Sequence, residues 1–276
     1  MRTSFHTATL HALPVVEAVD QLLRAGYDGV ELNAEELPWA AAHVGPGTPD
    51  DVRAALRRTG AISSIAAHRA GLASPTETDR TDAVEWTIDC VRLAVDVGAS
   101  VLHVIPGDQP DVGTGLGTVS EAGDLDAFVR SLAEVVAAAA DTGVVVALEP
   151  IVNQLVSTTD QALEVLDRVP GLKISFDPSH LHVTTHDVDD AVRRLGPHVA
   201  IAAIKDARGV PDDFAFLAQG RGDINFASMV DGLAAHGFDG HLVVEHEAHL
   251  FGDERGPEAV VVESLVGAKE LVARVS

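Results

Sequence analysis

One unit recurs along this chain: an amphipathic helical segment, a glycine, then a run of β-branched and apolar residues. The joints are Gly26-Tyr-Asp-Gly-Val-Glu-Leu, Gly60-Ala-Ile-Ser-Ser-Ile-Ala, Gly98-Ala-Ser-Val-Leu-His-Val-Ile and Gly143-Val-Val-Val-Ala-Leu-Glu. They continue with Gly171-Leu-Lys-Ile-Ser-Phe-Asp, Gly196-Pro-His-Val-Ala-Ile-Ala-Ala-Ile-Lys-Asp and Gly237-Phe-Asp-Gly-His-Leu-Val-Val-Glu. A glycine just past a helix accepts the left-handed conformation that stops it. The runs that follow are continuously apolar, as in parallel strands covered on both faces. Helical spacing precedes them, as in Val16, Val19, Leu22, Leu23 and in Val84, Ile88, Val91, Val95. Val52, Ala55 and Leu56 form another such stripe, opened by Thr48-Pro49. Further helices are expected near Leu125–Thr142, Asp160–Arg168, Asp187–Leu195, Phe226–His236 and Glu258–Val275. With a first strand near Thr3–Thr9, eight strands alternate with eight helices. In 276 residues this predicts an α/β fold, a (β/α)8 TIM barrel forming a single domain over residues 1–276. A doubly wound open sheet is the alternative.

In such a barrel the chemistry sits where strands end and enter their helices. Those ends are polar here: His6; Glu31 and Asn33; His68-Arg69; His103; Glu149; Asp177-Pro-Ser-His180; Lys205-Asp206; Glu245-His246-Glu247. Strand alternation puts Ser175 and Asp177 on one face, Ile174 and Phe176 on the other. Taken alone, Asp177 fits a helix cap and His180 a solvated imidazole equally well. Each glutamate alone fits an ion pair. The set of Glu149, Asp177 and Glu245 is different. Three carboxylates in one mouth repel one another and resist ionisation. A divalent cation removes that penalty, and carboxylates with imidazole suit Mn, Mg, Co or Zn. His180 is then a fourth ligand or a donor to substrate.

Lys205 can orient a carbonyl or phosphate oxygen, or pair with Asp206 or Glu149. His68, His103 and Arg221 are further candidates for substrate contact. Three long connections suggest lids or pocket walls: Asn33–Thr48 with Trp39, Gly107–Asp124, and Arg208–Asn225 with Phe214 and Phe216. Trp39 and Phe251 are candidate pocket walls, or simply pack on their own barrel. The Gly113-Thr-Gly115-Leu-Gly117 run neither follows a strand nor opens a helix, so it is not read as a phosphate loop.

Nineteen Lys and Arg stand against 42 Asp and Glu, a net charge of −23. Such a field repels nucleic-acid backbones and anionic membranes, and it suits cations and neutral polyols. The single cysteine, Cys90, cannot form an internal disulfide and reads as an inert buried thiol. The first residues lack the apolar run of a signal peptide, and no apolar stretch reaches membrane-spanning length. A cytoplasmic protein is the expectation.

Several segments carry a resemblance: Asp28-Gly-Val-Glu-Leu, Val146-Ala-Leu-Glu149-Pro, Phe176-Asp177-Pro-Ser-His180, Ile204-Lys205-Asp206 and Gly220-Arg221-Gly222-Asp-Ile-Asn-Phe, followed by the strand ending in Glu245. Together they resemble the sugar phosphate isomerase/epimerase superfamily, the xylose isomerase-like TIM barrels. The resemblance implies one divalent metal on Glu149, Asp177 and Glu245. It also implies that Glu149 and Glu245 face each other across a small sugar or polyol as acid and base, with His180 on substrate or metal. One position departs. The superfamily usually places a His ligand two residues before the Lys-Asp, where this chain has Ala203. His180, His182, His246, His68 and His103 are the candidate replacements.

Proton transfer through an enediolate gives isomerisation or epimerisation of a sugar, a sugar phosphate or a polyol. Loss of a β-hydroxyl from the same enediolate makes the chain a lyase of the inosose- or dehydroshikimate-dehydratase type, or one that eliminates from an oxidised sugar. A non-catalytic binding descendant is a third reading, raised by Ala203. An endonuclease of abasic sites shares the superfamily, and the acidic charge argues against it. Such barrels often pair through their helices, so a homo-oligomer is compatible with the sequence.

Overall fold

The computed structural model describes residues 1–37, 39–106, 124–247, 252 and 254–275. Seven parallel strands are β1 (Arg2–His6), β2 (Gly29–Asn33), β3 (Ile62–Ala66), β4 (Val101–Val104), β5 (Val145–Leu148), β6 (Lys173–Phe176) and β7 (Val199–Ile204). A hairpin of β8 (Asp206–Val210) and β9 (Asp213–Leu217) follows, and β10 (His241–Val244) completes the set. The parallel strands close in the order β1-β2-β3-β4-β5-β6-β7-β10 and back to β1. This is the eight-stranded (β/α)8 barrel that the recurring unit predicts. The helices are α1 (Val15–Ala25), α2 (Asp50–Thr59), α3 (Glu77–Val97), α4 (Leu125–Ala139) and α5 (Thr159–Arg168). They continue with α6 (Pro178–Thr185), α7 (Val188–Leu195), α8 (Phe226–Ala235) and α9 (Pro257–Ala273).

The glycine punctuation works as expected at Gly26, Gly60 and Gly98, which take φ of +107°, +62° and +82°. Gly196 is the exception, at φ −47°. Its reason is space: a Cβ there would stand 2.4 Å from the His236 ring.

Strand alternation divides the interior. Ile174 and Phe176 join the large apolar layer between barrel and helices. Inside the barrel, Val101, Ala147, Ile201 and Val243 pack as a small plug. Two residues further along three of these strands come His103, Glu149 and Glu245, so the plug is floored with hydrocarbon and roofed with charge. On β7 the next inward positions are Ala203 and then Lys205. Cys90 is buried in α3, and burial pushes its thiol up to about 12. Among the described residues no helix is long and apolar enough to cross a membrane.

Two connections differ from the sequence reading. Strand β6 leads into two helices, α6 and α7. The segment Arg208–Asn225, read as a loop, contributes most of the antiparallel hairpin β8–β9. Asp206 anchors that hairpin. It is fully buried and accepts hydrogen bonds from the backbone N–H of Ala207 (2.9 Å), Gly220 (2.9 Å), Gly222 (2.9 Å) and Ile224 (3.2 Å). A Cβ at Gly222 would lie 2.3 Å from the Asp206 carboxylate, which explains that glycine. Replacing Asp206 by Asn weakens charge-assisted bonds to several buried donors. We expect it to cost about 2–3 kcal/mol in urea unfolding, since bonds to a charged acceptor contribute about 1.5–3 kcal/mol.

The Gly107–Gly123 part of the long connection after β4, with its Gly113–Gly117 run, and Phe251 lie outside the described residues.

Candidate functional site

A cavity of about 90 Å³ opens at the ends of the strands. Its wall includes His6, Glu31, Glu35, His68, His103, Glu149, Gln154, His180, Lys205, Glu245 and Glu247, with Trp39, Ile105, Ile151 and Phe216 as apolar panels. Of the candidates from sequence, Glu149, His180, Glu245, Lys205, His68 and His103 meet here. Asp177 stands directly behind the wall, fully buried. Arg221 does not line the cavity; it is exposed on the turn after the hairpin.

Each side chain is placed by the strand that delivers it. Glu149 directly follows β5, and its N–H bonds Val104 O at 3.0 Å, continuing the sheet by one residue. Its Oε2 lies 2.8 Å from His103 Nε2, and His103 Nδ1 lies 3.4 Å from Glu31 Oε1. Ser64 Oγ donates to the same Glu31 oxygen at 2.9 Å. Burial opposes ionisation of Glu31. The bonds from His103 and Ser64 outweigh it and hold the carboxyl at about 2. Burial likewise opposes a charged His103, and the Glu149 and Glu31 carboxylates overcome it, raising the imidazole well above its ordinary range. Glu149 is pushed upward by burial, and the neighbouring Asp177 and Glu245 charges add to that against the pull of His103. A carboxyl that releases and regains a proton readily is what a general acid or base requires.

Asp177 ends β6 and caps α6: its Oδ1 accepts the Ser179 N–H at 2.7 Å. The capping reading holds for Oδ1, which leaves Oδ2 for the cluster. Asp177 Oδ2 faces the cluster, 3.1 Å from Lys205 Nζ and 3.6 Å from His180 Nε2. Burial pushes the Asp177 carboxyl up. Lys205, His180 and the Ser179 bonds prevail and bring it to about 2. His180 falls to about 3 because burial and the Lys205 charge both disfavour the imidazolium. It is a neutral imidazole, the form that ligates a metal.

Lys205 is the unexpected centre. Its ammonium reaches Asp177 (3.1 Å), Glu245 (2.9 Å) and Glu247 (3.4 Å), and its side chain is 3% exposed. Phe216 caps it, with the ring centroid 4.8 Å from Nζ, and the same ring meets His180 edge-on at 4.7 Å. Of the partners the sequence offered, Asp206 is not taken up, because its carboxylate accepts from the hairpin backbone. Burial opposes the charged ammonium, yet the Asp177, Glu245 and Glu247 carboxylates together raise it well above the ordinary lysine range.

The donor set fits a divalent ion. One ligand atom each from Glu149, Asp177 and His180 lie within 4.8 Å of one another, and His180 Nε2 is 3.6 Å from both Glu149 Oε1 and Asp177 Oδ2. Ligands at about 2.1 Å from one ion stand roughly 3–3.5 Å apart, so a small contraction suffices. Asp177 Oδ2 is buried and paired with the Lys205 ammonium at 3.1 Å, and a carboxylate oxygen so paired keeps a second lone pair for a cation. A second triad, His68, His103 and Glu149, shares the same glutamate. Ala203 supplies only a methyl, and His182 meets His186 edge-on at 5.2 Å, outside the cavity lining.

Sequence reasoning did not assign Glu35, Gln154 or Glu247 to the site. Glu247 is carried two residues past Glu245, and burial together with the repulsion of Glu245 and Asp177 lifts it to about 7 against the pull of Lys205. Glu35 pairs with His68 at 2.8 Å. Gln154 had no periodic signal. A tight turn at Asn153 (φ +61°), closed by Gln154 N–H to Ile151 O at 3.1 Å, returns it to the cavity.

The comparisons agree with this architecture. An uncharacterised protein of Methanocaldococcus jannaschii is 28% identical over 182 residues, covering 63% of this chain and 60% of its own length. The structure of D-psicose 3-epimerase with D-tagatose from Clostridium cellulolyticum H10 superposes with a TM-score of 0.75 at 18% identity, covering 99% of each chain. The IolI protein with a bound zinc atom does so with a TM-score of 0.75 at 18% identity, covering 100% of this chain and 98% of its own. The model of one family matches residues 19–269. The chain belongs to the xylose isomerase-like TIM barrel family.

Proposed function

We propose that this protein is a metal-dependent sugar or polyol isomerase or epimerase that moves a proton between carbon and the pair Glu149 and Glu245. The observation that carries the reading is the convergence of Glu149, His180 and Glu245 on one cavity, with Asp177 directly behind its wall, from three strand ends. Glu149, Asp177, His180 and Glu245 would hold the ion. Once bound, it would act as a Lewis acid that lowers the energy of an enediolate. A substrate carbonyl faces the neutral His180 and the Lys205 ammonium. One glutamate removes the proton beside the carbonyl. Delivery of the second glutamate's own proton to the opposite face of the same carbon inverts the centre, and return of the first proton to the neighbouring carbon shifts the carbonyl. His103, clamped between Glu149 and Glu31, fixes the orientation of Glu149. Phe216 covers the reaction space, and an apolar cover keeps water away from a carbanion-like species. The epimerase among the structural neighbours, crystallised with a ketose, supports the substrate class.

The test is solvent exchange. In D2O with Mn²⁺ present, the protein incubated with a panel of ketoses should replace the proton beside the carbonyl with deuterium, seen by NMR and mass. Loss of 18 Da from the product would assign a lyase instead. No exchange with any ketose, under conditions where the metal is bound, would end the proton-transfer reading.

A further inference from the structure

Building on the isomerase reading above, we infer that the cavity takes an uncharged polyhydroxy substrate, read at a hydroxyl by the Gln154 amide, and turns away its phosphorylated counterpart. Three observations lead there.

The first is the amide itself. Gln154 is 6% exposed and lines the cavity. Neither its Oε1 nor its Nε2 has a hydrogen-bond partner among the described residues, and both atoms are shielded from solvent. A buried amide normally has its bonds made. One acceptor and two donors at a cavity wall, all unspent, match a hydroxyl, which gives and takes a hydrogen bond. His6 repeats the pattern across the mouth: it is 8% exposed, lines the cavity, and its Nε2 is also without a partner among the described residues.

The second is the charge of the wall. Glu31, Glu35, Glu149, Glu245 and Glu247 all line it. Lys205 is the one Lys or Arg among the described lining residues, and three carboxylates already hold its ammonium. The residues outside the described set contain no Lys or Arg at all. Arg69 follows His68 directly, but its guanidinium stacks over Trp86 at 5.2 Å and lines a separate hollow. Apart from the ion of the proposed reaction centre, a phosphate therefore meets only cations already paired with carboxylates, Lys205 and the His103 held between Glu149 and Glu31, and several fixed anions; like-charge juxtaposition is how a site rejects a wrong ligand.

The third is the apolar panelling. Trp39 and Phe216 line the same cavity. Aromatic faces suit the C–H faces of a sugar, and they offer nothing to an anion.

The test uses the full chain with Mn²⁺ and matched probes: 2-ketopentoses and 2-ketohexoses, each as the free sugar and as its terminal phosphate. Binding is read by tryptophan fluorescence, turnover by deuterium uptake in D2O. For the skeleton that binds best, the free sugar should bind at least about tenfold more tightly than its phosphate. Gln154→Leu should raise the KM of the free sugar at least about tenfold with kcat nearly unchanged, the mark of lost uniform binding. In the ligand-free protein the same variant should melt at the same temperature or higher, because it removes an unsatisfied buried amide. Equal or tighter binding of the phosphate would overturn the inference. So would an unchanged KM in Gln154→Leu, or a clear fall in its melting temperature, which would make the amide structural. Binding of free sugars that depends on Gln154, with no deuterium uptake, would uphold this inference while removing the isomerase reading.

Discussion

Glu149→Gln and Glu245→Gln should each lower turnover on the true substrate on the order of 10³-fold, the usual scale for a positioned acid or base. Glutamine keeps the shape and loses the proton, so circular dichroism should be unchanged. The two variants should also differ from each other in a way a structural lesion would not produce. If each carboxylate serves one face of the substrate carbon, each variant keeps solvent exchange with one epimer and loses it with the other. The double variant should be little worse than the single ones in turnover, because residues acting as a unit are not additive. Full turnover in either single variant would remove that residue from the chemistry.

Lys205→Met should cost about 3–5 kcal/mol of stability in the presence of a chelator, the scale for stripping one partner from a buried ion pair. Lys205 is 2% exposed and Asp177 fully buried, so no water replaces the lost charge. The pH dependence has a definite sign. In the unaltered protein Asp177 is held at about 2, below the ordinary 3.8. It contributes stability that is present above the ordinary value and is lost as pH falls through about 2. Without Lys205, the uncompensated carboxylates are relieved by protonation. The deficit of the variant should therefore be largest near neutral pH and shrink on acidification. Saturating Mn²⁺ should recover part of it by mass action on the same oxygens. Urea unfolding at pH 7 and pH 5, with and without the ion, reads all three effects. A variant as stable as the parent in chelator would show that the ammonium is not the counter-ion of the cluster.

The barrel was readable because its signals are local. Gly26, Gly60 and Gly98 end helices in a conformation few other residues tolerate, and the apolar runs behind them have one stable use. The site was readable to the extent that strand ends are. Alternation decides that Glu149 and Glu245 point inward, and no longer-range knowledge is needed. The partnerships among side chains were not readable, since they depend on the stagger of strands distant in sequence. Lys205 was placed beside Asp206 by adjacency, whereas its ammonium crosses to Asp177 and Glu245. Arg221 drew notice because glycines flank it. Those glycines serve the backbone instead, delivering the Gly220 and Gly222 N–H groups to Asp206. The hairpin β8–β9 was hidden because each strand has a single partner and a short apolar face, Phe214 and Phe216, whose value appears only against His180 and Lys205.

The central claim is that side chains from three separate strand ends form one cation-binding reaction centre. Calorimetric titration of the chelator-treated protein with Mn²⁺ and Zn²⁺ tests it most directly, with His180→Ala as the partner variant. The account predicts saturable binding at the carboxylate–histidine cluster, weakened at least about tenfold in the variant. No binding at millimolar ion, or binding indifferent to His180, would contradict it.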